Sequence, residues 1–76
     1  MSGDQLEQVI GILTRRQPFH SFEIEMATGT RLLVSHPEAI VREGHFFVYR
    51  GTNSGIHIFT ASGVCQVIDL PYAPAS

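Results

Sequence analysis

The chain has 76 residues and a mass of 8.4 kDa, which makes one domain at most. Hydrophobic residues are 43% and charged residues 16%, a balance that excludes a disordered, charge-rich chain. Five arginines, no lysine and seven carboxylates leave a formal net charge of −2, the opposite of the basic surface on which electrostatic nucleic-acid binding relies.

No window approaches the ~20 apolar residues of a membrane helix. The start, MSGDQLEQ, is acidic and has no apolar signal core, so a cytoplasmic location without membrane contact is expected. The single cysteine, Cys65, allows neither an internal disulfide nor a multi-cysteine zinc site. A chain of this length buries only about 60% of its unfolded surface, and a second subunit would add to a small core.

Leu6, Val9, Ile10 and Leu13 recur at helical spacing and predict a helix over residues 4–16. Asp4 with Glu7 has the spacing of a capping box, and Ser2 with Gln5 is an alternative. Arg15 and Arg16 suit the C-terminal end of the helix dipole, and Pro18 stops the helix. Gly11 in mid-helix disfavours the helix by up to ~1 kcal/mol relative to alanine; a close approach to a sheet would explain it.

After Pro18 the apolar period changes to two. Phe22, Ile24 and Met26 alternate with Glu23 and Glu25 in a first strand near 20–28. Thr28-Gly29 turns the chain into a second, near 31–36, with Leu32 and Val34 inward. His36-Pro37 breaks that strand, and residues 37–41 read as an irregular turn that tucks Ile40 into the core. Residues 45–50, apolar on both faces, form a third strand, and 51–55 are turn formers. Strands at 56–60 and 64–69 complete the set, and residues 70–76 read as an extended tail. The expected core is Leu6, Ile10, Leu13, Phe22, Ile24, Leu32, Val34, Ile40, Val48 and Ile58. The expected fold is a single α+β domain spanning 1–76, an N-terminal helix followed by a five-stranded antiparallel SH3-like (Sm-like) small barrel, because closure removes exposed edges.

Pro18-Phe19-His20-Ser21-Phe22, Gly29 and His36-Pro37-Glu38 resemble the pattern of a family of short bacterial proteins of unknown function. The resemblance spans most of residues 5–69 and implies no activity. The element order is also similar to that of Sm-like proteins, with Ile58 to Ile68 patterned like their second sequence block. Where those proteins hold RNA, this chain has His36-Pro37-Glu38 and Ala61-Ser62-Gly63, so the resemblance implies the barrel and an oligomeric habit but not the RNA pocket.

His20, His36, His45 and His57 are separated by 16, 9 and 12 residues, spacings that place no two rings on one metal along a helix or strand. Cys65 and His57 fall on neighbouring expected strands. No third group orients them as a nucleophile and base, and a free cysteine is more often a small buried hydrophobe. Glu23 and Glu25 share a strand face and read as its solvated side. Glycines 51 and 55 lack the lysine and helix of a phosphate loop.

These observations predict a non-catalytic binding domain without metal or cofactor. Its partner is expected to be protein or a second copy of the chain, held through a strand edge or an apolar patch that includes Leu33, Phe47 (or its neighbour Phe46) and Phe59. The edges expected to invite pairing are 56–60 and 64–70, with Pro71 and Pro74 as blocks. The alternative is an Sm-like single-strand nucleic-acid binder using Arg15, Arg16, Arg31, Arg42 and Arg50 with Tyr49 as a stacking surface, a reading the net charge disfavours. A small metal- or cysteine-dependent enzyme ranks third.

Overall fold

The computed structural model describes residues 1–51 and 55–71. Helix α1 (Gly3–Arg15) is followed by β1 (Phe22–Met26), β2 (Arg31–Val34), a 3-10 turn (Pro37–Ala39), β3 (Ile40–Glu43), β4 (Phe46–Gly51), β5 (Gly55–Phe59), a second 3-10 turn (Ala61–Gly63) and β6 (Val64–Asp69). The expected tail from residue 72 onward and positions 52–54 of the expected loop lie outside the described residues. Among the described residues no helix is long and apolar enough to cross a membrane.

The helix begins at the second of its two capping patterns. The Gln5 amide donates to Ser2 Oγ at 3.1 Å, and the Ser2 amide donates to Gln5 Oε1 at 3.0 Å. Asp4 and Glu7 are thereby left to meet Arg42. Gly11 is not explained by a sheet. A Cβ at this position would lie 2.7 Å from the Arg15 guanidinium, which folds back over the helix.

Among the described residues the strands number six, not five, and do not close into one barrel. They form two antiparallel sheets of three, ordered β2-β1-β6 and β3-β4-β5. Residues 40–43, expected as part of an irregular turn, pair with β4 through Ile40–Tyr49 and Val41–Val48. The reason lies at the two junctions where the chain changes sheet. Between β2 and β3, Pro37 has no N–H to offer a ladder, and the 3-10 turn rotates the chain out of the first sheet. The Ala61–Gly63 turn does the same between β5 and β6. Among the described residues four strands therefore end as edges: β2 and β6 of the first sheet, β3 and β5 of the second. The tight turns between paired strands use glycines at positive φ, Gly29 at +94° and Gly44 at +61°, where a side chain would be strained.

The core lies between the sheets and under the helix. Leu6, Ile10, Phe22, Ile24, Leu32, Val34 and Ile40 are buried as expected. Leu13 only packs partly against them. The second sheet departs from expectation. Phe47 and Tyr49 enter the core, Val48 is half-buried, and Ile58 is 66% exposed. Strand β4 is apolar on both faces, so alternation alone leaves its phase open. The aromatic residues win the interior because they fill more of the space between the sheets and stay paired there. Phe47 stacks on Phe59 with centroids 5.9 Å apart, and Tyr49 tilts against His57 at 5.7 Å. Once Phe47–Phe59 and Tyr49–His57 face inward, register turns Val48 and Ile58 outward.

Candidate functional site

The outer face of the second sheet follows from that phase. Alternation along β3, β4 and β5 places Val41, Phe46, Val48, Ile56 and Ile58 on it, with Glu43 and Arg50. Val41 pairs with Val48, and Val48 with Ile58, so these three make a row across all three strands. Phe46 pairs with Glu43 in the row on one side, and Arg50 pairs with Ile56 on the other. Of the seven large apolar side chains exposed among the described residues, four are on this face: Val41, Phe46, Ile56 and Ile58.

The outer face of the first sheet has a different chemistry. Gln66 donates to Glu25 at 2.6 Å from the β6 side, and Arg31 meets Glu25 at 3.5 Å from the β2 side. Polar cross-strand pairs thus cover part of one sheet's surface, while the other presents branched and aromatic hydrocarbon. The free edge of β5 also borders a groove of about 470 Å³ against Met26, Ala27, Thr28 and Leu32.

The three residues expected in a protein contact are not brought together. Leu33 is exposed on the first sheet. Phe47, 1% exposed, is in the core, and Phe59 points inward onto it. Both belong to the face opposite the apolar surface, because the inferred phase of β4 and β5 is inverted.

The arginines do not form one patch either. Arg16 donates to both carboxylate oxygens of Asp69, at 2.8 and 3.0 Å, and to the His20 carbonyl. Its hydrogen bonds hold the Asp69 carboxyl below the usual carboxylate range. Arg42 meets Asp4 at 3.0 Å and Glu7 at 2.6 Å. The hydrogen bonds to Asp4 and Glu7 raise the Arg42 pKa further. Arg42 also lies 5.7 Å above the Phe47 ring. Arg31 is held by Glu25. Arg15 and Arg50 are exposed. Tyr49, expected as a stacking surface, is buried and donates its hydroxyl to the Leu33 carbonyl at 2.6 Å.

Cys65 is exposed rather than buried. It stands on β6 beside Gln5, Gln8 and Val9 of the helix, while His57 is on β5 in the other sheet, so the two do not face each other across a strand pair. Among the described residues no group of three or more His, Cys, Asp or Glu side chains is placed to hold a metal ion.

Of this surface, Val48 and Ile58 were expected in the core and Phe46 only as an alternative to Phe47 in the contact, while Val41 and Ile56 were expected in neither. One signal for β4 was present: Arg50 and Phe46 share parity with Val48, and a charged end marks that parity as the outer one. For β5 the pattern points the wrong way, since His57 between two isoleucines reads as the polar face. Comparison with family models, curated proteins and solved structures finds no match.

Proposed function

We propose that this protein is a non-catalytic interaction domain that holds an apolar surface of another protein chain against the outer face of its second sheet. The observation that carries the reading is the continuous surface of Val41, Phe46, Val48, Ile56 and Ile58, with Glu43 and Arg50 at its margins. An apolar patch with a polar rim is the signature of a protein contact. Branched and aromatic side chains on a pleated face suit a second pleated surface. The nucleic-acid reading draws less support, because Arg16, Arg31 and Arg42 are occupied by carboxylates of the same chain.

The test compares the parent with Ile58→Lys as baits in a cell extract, after thermal melting shows that both are folded. Proteins, or further copies of the chain, retained by the parent and lost with Ile58→Lys are the expected result. An identical set on both baits would overturn the reading.

A further inference from the structure

The charges at the margins of the apolar face specify what covers it. Glu43 and Arg50 lie at opposite ends of the face, on either side of the Val41–Val48–Ile58 row. Neither forms an ion pair with a described residue of its own chain. From the Phe46 position, Arg50 is four residues along β4, roughly 13 Å at the rise of a strand. The face is therefore a dipole with an apolar middle.

We propose that this face stacks on the same face of a second copy of the chain, about a two-fold axis running across the strands along the Val41–Val48–Ile58 row. The inference rests on the interaction reading above and names the partner. A two-fold contact must be self-complementary, because each patch meets its own copy. An axis along the row reverses strand direction between the copies. The Glu43–Phe46 row of one chain then faces the Arg50–Ile56 row of the other. Each Arg50 comes over the partner copy's Phe46 ring, one strand away from its Glu43, and gains a cation–π contact and an opposite charge. The other in-plane axis, along β4, would set Arg50 against Arg50. Stacked sheets lie about 10 Å apart with strands aligned within about 30°, a spacing that lets the valine and isoleucine side chains of the two copies interleave.

The contact closes on itself. The first sheet's outer face carries the Arg31–Glu25–Gln66 pairs, and its next row sets Glu23 between Leu33 and Ile68, so its described residues offer no matching apolar row and the stack ends at two copies. Three strands of about five residues present a face of roughly 14 by 17 Å. That is less than the ~800 Å² per partner of a standard stable interface, and the dimer dissociates on dilution.

Sedimentation and light scattering from about 1 µM to about 1 mM bracket the affinities of such small contacts. The mass should rise across that range from 8.4 kDa toward twice that value. Ile58→Lys, and separately the milder Ile58→Thr, should keep the melt and lose the rise. Glu43→Arg and Arg50→Glu should each weaken pairing about tenfold, and the double exchange should recover most of the loss. A dimer indifferent to Ile58→Lys and to both charge reversals would overturn the proposed geometry. A constant 8.4 kDa mass, with an apolar dye bound by the parent and not by Ile58→Lys, would overturn self-pairing yet retain the apolar-face reading. No mass rise and no difference in dye binding or extract capture would overturn both.

Discussion

The Tyr49 hydroxyl donates to the Leu33 carbonyl at 2.6 Å and so ties the middle strand of the second sheet to an edge strand of the first. No strand pairing joins the sheets at this point, so a side chain supplies the connection. Tyr49→Phe keeps the ring on His57 but leaves that carbonyl without its described donor. The expected loss is about 1–2 kcal/mol, measured by urea unfolding. An unchanged midpoint would show that the hydroxyl contributes nothing net to holding the sheets.

Phe22 is fully buried and meets Phe19 edge-on at 6.4 Å. It sits on the central strand of the first sheet, between Val34 on β2 and Asp69 on β6. Phe22→Ala should cost about 3–5 kcal/mol, enough to abolish the cooperative melt of a small domain. A melt within a few degrees of the parent would contradict this placement.

The helix start allows a direct comparison of two caps. Ser2→Ala removes the acceptor of the Gln5 amide and should destabilise by about 1 kcal/mol. Asp4→Ala weakens the contact with Arg42 but leaves the cap, and its effect on stability at moderate salt should be smaller. Thermal melts of the two variants side by side settle the order; a larger effect for Asp4→Ala would move the cap to that residue.

Asp69 carries a pH dependence. Arg16 holds its carboxyl below the ordinary range in the folded chain, so the unfolded chain takes up the proton first as pH falls. The ion pair's contribution is complete above the ordinary carboxylate value, near pH ~4, and is lost as pH drops through the depressed folded value. Exposure of Asp69 keeps the effect small. The stability advantage of the parent over Asp69→Asn should be present at neutral pH and shrink steadily below pH ~4. An advantage that grew on acidification would reverse the assigned sign.

Local order was legible in the residues themselves. The spacing of Leu6, Ile10 and Leu13, the stop at Pro18 and the alternation of Phe22, Ile24 and Met26 each reflect a rule that acts within a few residues, and the helix and first two strands follow them. The third strand was hidden because four residues after a proline carry too little pattern to separate a turn from a ladder; only β4 lying alongside gives Ile40–Glu43 their partners.

The candidate site depended on tertiary structure for the same reason. Phe46-Phe47-Val48-Tyr49 is apolar at every position, and Ile56-His57-Ile58-Phe59 nearly so, so sequence determined that both segments are strands, but the only local mark of the phase of β4 is Arg50 and the pattern of β5 points to the wrong side. A one-residue change of phase moves every side chain to the other face. That choice was made between segments, by the Phe47–Phe59 stack, the Tyr49–His57 contact and the reach of the Tyr49 hydroxyl to Leu33. Packing volume and one hydrogen bond across the core drew the aromatic residues inward and left valine and isoleucine outside, and no local pattern contains either term.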